Sequence, residues 1–402
     1  MTRGRVLISG AGIAGPALAY WLLRLGYEVT IVERAPALRT GGYMIDFWGV
    51  GYEVALRMGL GPRLDRDGYR IEELRIVNAR GKRVSGFDAS VFRAAAKQGQ
   101  FTSILRGDLA AMIYDLVAGQ VETMFGDWIT RIESRSDGVD VSFAQGSTRR
   151  FDFVVGADGL HSNVRHLAFG MRPADEVYLG YYVAAFTSED YPRRAEGVYL
   201  SFARPGMQIA RYALRGGRTA FFLIFAQEQP LAIAPHDVAA QRAVIRERFA
   251  GAGWESDAML VEMDRTPDLY FDAVAQTRLD RWSSDRVVLL GDAAYCPSLL
   301  AGQGSAFAMA GAYVLAACLQ AAGGDLPRAF EAYERQFKPF IDAKQKAAVS
   351  FASWFAPRTP FSLWLRNVAT SVLGLPVISR VAAKRMFGDR FELPELPVAD
   401  RV

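Results

Sequence analysis

The order of apolar and polar positions predicts how the chain begins. A short apolar run, Arg5–Ser9, precedes a glycine-rich turn, helical spacing over Pro16–Leu25 and a β-branched run at Glu28–Val32. This strand–turn–helix–strand order is typical of a doubly wound parallel sheet. Two later apolar runs, Phe151–Gly156 and Arg286–Gly291, each end at a Gly/Asp turn. We interpret these runs as strands of one discontinuous domain, with a ligand at their carboxyl edge.

A different pattern follows, in which short aromatic runs alternate with Gly/Pro turns. These runs are Tyr178–Phe186, Gly197–Ala203, Gln208–Leu214 and Arg218–Phe225. Such spacing predicts an antiparallel sheet and a second domain. Asp237–Phe249 is expected to form a helix, and the proline-interrupted, Trp- and Phe-rich stretch Ser350–Phe387 a set of short helices.

The predicted fold is therefore α/β: a Rossmann-like domain with a parallel sheet, a mostly antiparallel substrate-binding sheet domain and C-terminal helices. We place the first domain at residues 1–75, 100–170 and 286–345. The second takes residues 76–99 and 171–285, and the helical segment residues 346–402. A chain of 402 residues suits two cores and a small appendage.

Composition narrows the possible partners. The net charge of +4 is spread without long basic runs, so we do not expect a nucleic-acid partner. Two cysteines and the lack of a signal-peptide pattern favour a reducing, cytoplasmic setting, and three histidines without a Cys/His cluster predict no metal site. The uncharged stretch Ala293–Gly324 is expected to be a buried helix and not a membrane span. The oligomeric state cannot be read from the sequence.

The first glycine-rich turn, GAGIAG, carries a dinucleotide fingerprint. Gly10 permits a tight turn, Gly12 lets a pyrophosphate approach the backbone, and Gly15 lets the helix pack closely on the strand. The helix N-terminus directs N–H groups at the phosphates. Glu33, at the end of the second strand, is placed to accept ribose hydroxyls, and Arg34 follows it. These residues alone leave FAD and NAD both open.

Two further motifs carry a family resemblance. Residues 151–165 read FDFVVGADGLHSNVR and residues 291–304 read GDAAYCPSLLAGQG. Together with the fingerprint, their order resembles single-component FAD-dependent hydroxylases of the para-hydroxybenzoate hydroxylase type. GGYMIDFWG at Gly41–Gly49 resembles the branch of tetracycline-inactivating and polyketide-tailoring monooxygenases. Tyr295 and Ala306 depart from the pattern, where many relatives have His and Asn.

The resemblance implies roles for individual residues. The fingerprint binds the ADP part of FAD, the turn at Asp158 serves flavin and NAD(P)H, and the turn at Asp292 holds the ribityl chain. Arg106 and Asp46 contact FAD, and Arg39 approaches NAD(P)H. The implied cofactor-binding set is Gly10, Gly12, Ala14, Gly15, Glu33, Arg34, Arg39, Asp46, Arg106, Asp158, Gly159, Asp292, Pro297, Gly302, Gln303 and Gly304.

For several of these residues, a purely structural role is the alternative. Asp158 and Asp292 also suit helix caps or turns, and Arg106 a surface ion pair. His161 is interpreted as structural. No side chain is assigned to catalysis, because a flavin carries the chemistry, with the Pro297 loop near its isoalloxazine ring.

The implied function is an FAD-dependent monooxygenase. It would hydroxylate a small aromatic or polyketide-like substrate with NAD(P)H and O2, through a hydroperoxide at flavin C4a. Three alternatives remain open: a flavin oxidase or reductase of the same fold, a non-catalytic nucleotide-binding module, and an NAD-dependent dehydrogenase.

Overall fold

The computed structural model describes residues 3–39, 42–89, 96, 100–170, 172, 175–189, 191–192, 195–373 and 391–397. Its strands are β1 Arg5–Ser9, β2 Glu28–Glu33, β3 Met44–Trp48, β4 Glu73–Val77, β5 Arg83–Asp88, β6 Phe101–Leu105, β7 Glu122–Phe125, β8 Ile129–Arg135, β9 Gly138–Phe143, β10 Thr148–Phe151, β11 Phe153–Gly156, β12 Glu176–Ser188, β13 Val198–Arg204, β14 Met207–Ala213, β15 Thr219–Ala226, β16 Tyr270–Thr277, β17 Ser283–Ser284 and β18 Val287–Leu289. Its helices are α1 Ala14–Arg24, α2 Gly49–Arg57, α3 Gly61–Asp67, α4 Arg106–Asp115, α5 Asn163–Phe169, α6 Val238–Phe249, α7 Ser256–Arg265, α8 Asp292–Tyr295, α9 Gly304–Ala322, α10 Leu326–Phe355 and α11 Pro360–Leu373.

A six-stranded sheet brings the distant apolar runs together, in the order β17-β18-β11-β1-β2-β7. Strand β1 pairs in parallel with β2 and β11, and β11 with β18. Ser9, Gly156 and Leu289 lie in register at the carboxyl ends of their strands. The prediction of one sheet built from three separated strands is confirmed, and its turns share one edge.

The second sheet has seven strands in the order β16-β12-β15-β14-β13-β4-β5. All its neighbours pair antiparallel except β13 and β4, which run parallel. The predicted, mostly antiparallel sheet is therefore confirmed. The proposed boundary at residues 75/76 falls within β4, since β4 and β5 complete the sheet from an earlier part of the chain.

Helix α9 lies in the core of the first domain. Among the described residues it is the one helix long and apolar enough to cross a bilayer, and 78% of its most apolar window is buried in the protein. Its small side chains permit close packing: a Cβ on Gly51 of α2 would lie 2.3 Å from the Cα of Ala306. The close approach of α2 and α9 therefore requires glycine at position 51.

The C-terminal prediction was wrong in one respect. Ser350–Phe355 is not a separate short helix but the end of the 30-residue α10, so the proposed boundary at residues 345/346 falls inside that helix. Pro339 lies within α10 as well. The apolar positions of α10 keep their helical spacing past Pro339 and past residue 346. Helix α11 follows, and the predicted helices over residues 374–387 lie outside the described residues.

Tyr295, which replaces the histidine of many relatives, points into the core. Its ring packs on Trp282 and Phe337, and its hydroxyl accepts a hydrogen bond from Tyr333 at 3.2 Å. A Cβ on Gly311 would lie 1.9 Å from the Tyr295 hydroxyl oxygen. Glycine at 311 is therefore required by the tyrosine at 295.

This contact predicts a double-mutant result. Gly311→Ala should destabilise the protein by about 1–3 kcal/mol through overpacking, measured by urea unfolding. Gly311→Ala combined with Tyr295→Phe should recover part of that loss, because the clashing oxygen is removed. Strictly additive effects of the two substitutions would contradict the contact.

Candidate functional site

The fingerprint glycines have three different local constraints. Gly10 has a φ of +110°, and a Cβ there would lie 2.4 Å from the Ala157 carbonyl oxygen. A Cβ on Gly15 would lie 2.0 Å from the Gly10 carbonyl oxygen. At Gly12, by contrast, the nearest atom to a Cβ is Nη2 of Arg106, 3.9 Å away. Gly10 and Gly15 serve the fold, while Gly12 opens onto space that a ligand can enter.

Glu33 is held where β2 ends. Its carboxylate accepts hydrogen bonds from the backbone N–H groups of Ala11, at 2.8 Å, and Ala35, at 2.9 Å. A carboxylate has about four acceptor positions, so it retains capacity for ribose hydroxyls. Arg34 is exposed, 5.6 Å from the centre of the Trp128 ring. Arg39 is exposed in the loop that follows.

Arg106 places a half-buried cation beside the fingerprint. It is the first residue of α4, and its N–H donates to the Tyr43 carbonyl at 3.0 Å. Burial disfavours the guanidinium charge. The pKa of Arg106 is nevertheless raised by the facing acidic groups of Tyr43, Asp292 and Tyr270. Arg106 therefore stays charged and available to an anion near Gly12, and is not a surface ion pair.

Asp292, in the turn that follows β18, faces Arg106. Desolvation raises the pKa of its carboxyl, and Arg106 partly offsets that rise. A Cβ on Gly304, where α9 begins, would lie 3.5 Å from the Asp292 carboxylate. Gly291 adopts a φ of +65°, and its Cβ position lies 3.0 Å from the Cβ of Ala14. The third turn and the start of α9 thus lie against the fingerprint helix.

Two buried glutamines fix the loop after Asp292. The side-chain amide of Gln276 donates to the carbonyls of Pro297, at 2.7 Å, and Gln345, at 2.8 Å. That of Gln345 donates to the carbonyls of Thr277, at 2.7 Å, and Cys296, at 3.0 Å. Buried amides with satisfied hydrogen bonds specify one loop conformation. Neither residue was predicted: Gln276 follows the apolar residues Ala273–Ala275, which is a weak signal, whereas Gln345 lies between Lys344 and Lys346 and gives none.

The turn at Asp158 caps helix α5 and also lies beside the fingerprint. Asp158 accepts hydrogen bonds from the Ser162 hydroxyl, at 2.5 Å, and the Val164 N–H, at 3.0 Å, at the start of α5. Its Cα would lie 3.0 Å from a Cβ on Gly10. Burial raises the pKa of Asp158 despite these hydrogen bonds. Gly159 completes the turn with a φ of +86°.

His161 joins this turn to the second sheet. Its ring nitrogens lie 3.1 Å from Asp272 and 3.5 Å from Glu176. Hydrogen bonding to Asp272, then to Glu176, raises the pKa of His161 to about 10, so the ring is cationic at neutral pH. Arg165 also pairs with Glu176 and donates to the Ala293 carbonyl at 3.0 Å. The structural interpretation of His161 agrees with this bridging position.

Asp46, on β3, faces the second sheet. The Ser103 hydroxyl donates to its carboxylate at 2.5 Å, and desolvation raises the pKa of Asp46. Tyr199, on the second sheet, is half-buried, and its pKa is raised by desolvation and then by the charge of Asp46. Asp46 and Tyr199 therefore border the space between β3 and the second sheet, which we call the cleft.

An aromatic wall extends from this cleft. The ring of Tyr43 lies 5.2 Å from that of Tyr270 and 6.1 Å from that of Phe222, between ring centres. Phe355, at the end of α10, lies edge-on to Phe222 at 6.3 Å. Phe222 lies in the aromatic run Arg218–Phe225 that predicts a strand, but nothing in the sequence singles out these four residues as one wall.

These features meet at one sheet edge: an open glycine turn, a retained cation, a facing carboxylate and a helix N-terminus. Together they define a dinucleotide-binding flavoprotein, and the residues present fit FAD. Residues 3–346 match the family described as FAD binding domain. The chain belongs to this family of flavin-dependent monooxygenases of the para-hydroxybenzoate hydroxylase type, as the resemblance implied.

Relatives and solved structures agree with this assignment. A flavin-dependent monooxygenase of Legionella longbeachae is 33% identical over 345 residues, covering 86% of this chain and 88% of that protein. An uncharacterised protein of Mycobacterium tuberculosis is 38% identical over 342 residues, with 85% and 91% covered. The crystal structure of the tetracycline destructase Tet(51) aligns with a TM-score of 0.82 at 31% identity, covering 98% of this chain and 99% of that one.

Proposed function

We propose that the protein hydroxylates a small aromatic or polyketide-like substrate with NAD(P)H as reductant. The overall balance is substrate–H + O2 + NAD(P)H + H⁺ giving substrate–OH + H2O + NAD(P)⁺. One observation carries the proposal: Tyr43 and Tyr270 of the aromatic wall, together with Asp292, act electrostatically on Arg106, so the wall lies beside the proposed flavin contacts. A substrate on that wall would lie next to the cofactor.

The cofactor contacts follow from the local geometry. The open space at Gly12 and the Arg106 cation suit the diphosphate, and the free acceptor capacity of Glu33 suits the adenosine ribose. Asp292 suits the ribityl hydroxyls. The backbone N–H groups of Gly302–Gly304 suit the pyrimidine edge of the flavin, toward which α9 directs its positive dipole. Asp46 and Pro297 would border the isoalloxazine ring.

Bound FAD supplies the redox chemistry, namely the acceptance of hydride and the activation of O2. The chain's own residues bind, orient and exclude water. The Tyr43–Phe222–Tyr270 wall offers flat apolar surfaces for a planar substrate and keeps water from the reacting centre. The buried amides of Gln276 and Gln345 hold the Pro297 loop in place beside it. The likeness to a tetracycline destructase supports a polycyclic or aromatic substrate.

NAD(P)H is proposed as the co-substrate. The turn at Asp158 and Gly159, with Arg39, is proposed to lie along its approach. Because Asp158 already caps α5, its carboxylate would act there mainly by shaping the turn. The exposed Arg39 would supply a mobile positive charge.

The test begins with an absorption spectrum of the purified protein, where we expect bands of bound flavin. Phenols and polyketides are then screened for stimulated oxidation of NADH or NADPH. We expect a product heavier by 16 mass units, which carries the label when ¹⁸O2 is supplied. Stoichiometric hydrogen peroxide with an unlabelled, dehydrogenated product would show an oxidase, and colourless protein without releasable flavin would contradict the assignment.

A further inference from the structure

An exposed tryptophan lies at the same sheet edge as Glu33. Trp128 follows strand β7 and is 41% exposed, and the Arg34 guanidinium lies 5.6 Å from the centre of its ring. A single exposed aromatic residue is common on protein surfaces and needs no explanation by itself. What distinguishes Trp128 is its position beside the carboxylate that suits the adenosine ribose.

Backbone hydrogen bonds fix the turn after β7 against the end of β2. The two strands pair in parallel, with Phe125 opposite Glu33. Beyond this pair, the Gly126 N–H donates to the Ala35 carbonyl at 2.9 Å, and the Asp127 N–H donates to the Glu33 carbonyl at 3.3 Å. The backbone immediately before Trp128 is therefore bonded to the residue that carries the proposed ribose contact.

The side chain of Asp127 holds the same turn from within. It is buried, and its carboxylate accepts hydrogen bonds from the N–H groups of Trp128, at 2.9 Å, and Gln145, at 3.1 Å. Ile129, where β8 begins, is buried in the core of the first domain. The backbone on both sides of Trp128 is thus fixed, and the exposed ring is attached to a rigid support.

The order of the strands relates each part of a nucleotide to one strand end. In the order β1-β2-β7, the turn containing Gly12 follows β1, Glu33 ends β2, and Trp128 follows β7. Neighbouring strands are about 4.8 Å apart, so these three strand ends span roughly 10 Å of the sheet edge. With a diphosphate at Gly12 and a ribose at Glu33, the base attached to that ribose would lie beside Trp128.

We propose that Trp128 and Arg34 bind the adenine ring of FAD by stacking, and that they thereby select FAD over FMN, which lacks the adenylate part. The inference rests on the proposed assignment of Glu33 to the adenosine ribose. A purine base is flat and polarisable and stacks on aromatic side chains. A guanidinium is also flat, and it stacks on aromatic rings while its charge remains near the diphosphate.

The nicotinamide cofactor carries the same adenine, and the sheet order separates the two sources. The turn at Asp158, which is proposed to lie along the approach of NAD(P)H, follows β11. Strands β11 and β7 lie on opposite sides of the β1–β2 pair. Trp128 is therefore on the side of Glu33 and away from the Asp158 turn, which favours the adenine of FAD.

The test is calorimetric titration of the full-length apoprotein with FAD, FMN and ADP. Trp128→Ser should weaken the binding of FAD and ADP alike, by roughly 5- to 100-fold, and leave the binding of FMN within about twofold of native. Trp128→Phe keeps an aromatic face and should retain most of the affinity for FAD. Arg34→Gln should weaken FAD and ADP by a smaller factor than Trp128→Ser.

The matched control is Trp364→Ser, which removes an exposed tryptophan from α11 and should bind all three ligands like the native protein. The melting temperature of each apoprotein establishes that it is folded. Tryptophan emission gives a second measurement, because ADP does not absorb the light that tryptophan emits. ADP should quench part of the emission of the native protein, and this quenching should disappear in Trp128→Phe although ADP still binds.

Four results would overturn the proposal. Native FAD affinity in Trp128→Ser would do so and leave the flavin assignment intact. Native FAD affinity with a raised KM for NAD(P)H would assign Trp128 to the nicotinamide cofactor. Equal weakening of FMN and FAD would show a structural role for the ring. Native apoprotein that binds neither FAD nor ADP would contradict the flavin site as well, whereas binding of ADP without FAD would contradict the flavin assignment and the selection of FAD together.

Discussion

Gly12→Ala is expected to leave the apoprotein folded and to weaken FAD binding by on the order of 10- to 100-fold. The nearest atom to an added methyl group is Arg106 Nη2, 3.9 Å away, so the protein itself accommodates the change. The methyl group would instead occupy the space through which a diphosphate reaches the backbone. The dissociation constant is measured by quenching of FAD fluorescence, and the fold by the melting temperature of the apoprotein.

Gly15→Ala provides the contrast. Its methyl group would meet the Gly10 carbonyl oxygen at 2.0 Å, a backbone atom that cannot move aside by changing rotamer. We expect Gly15→Ala to lower the melting temperature of the apoprotein so far that its FAD affinity cannot be measured. Equal melting temperatures for the two variants, or unchanged FAD affinity in Gly12→Ala, would contradict the division of roles between these glycines.

Arg106→Ala should weaken FAD binding by on the order of 100-fold or more, because a charged hydrogen-bonding partner is lost from a partly buried site. A second effect concerns Asp292, whose raised pKa is held down in part by Arg106. Without the guanidinium, the pKa of Asp292 should rise further. As the pH is lowered, the FAD affinity of Arg106→Ala should therefore begin to change at a higher pH than that of the native protein. FAD-binding titrations at a series of acidic pH values measure this shift.

Arg106→Lys tests the two contributions separately. A lysine retains the positive charge, so we expect the pH dependence to stay close to native while affinity still falls, since the planar guanidinium is lost. The control is Arg246→Ala, which removes an exposed arginine paired with Asp264 and should change neither quantity. Native FAD affinity in Arg106→Ala would remove this residue from the cofactor site.

The local framework of the fold could be predicted from the sequence. Strands β1, β2, β11 and β18 contain runs of Val, Ile and Leu with few polar residues between them, because both faces of a parallel sheet are covered. The turns between strands and helices need glycine where φ is positive, as at Gly10 and Gly291, so they too leave a local signal. A shared sheet edge then follows from the parallel arrangement.

The composition of the cleft could not be predicted in the same way. Tyr43 and Tyr270 face each other across 227 positions of sequence, and nothing in either neighbourhood signals the other. Gln276 and Gln345 lie 69 positions apart, and nothing in the sequence around either one identifies the other as its partner. Such pairings depend on how one sheet packs on the other.

The sequence by itself determined the nucleotide-binding half of this protein: its strands, its glycine turns and the family to which it belongs. These features are encoded within a few residues of one another, by backbone conformation and hydrophobic period. Only the tertiary structure decided that Arg106 faces Asp292, that Tyr43 faces Tyr270, and that the Gln276 side chain holds the Pro297 carbonyl. Those arrangements join residues distant in the chain, and their free energy comes from burial and hydrogen bonding that exist only once the domains are packed.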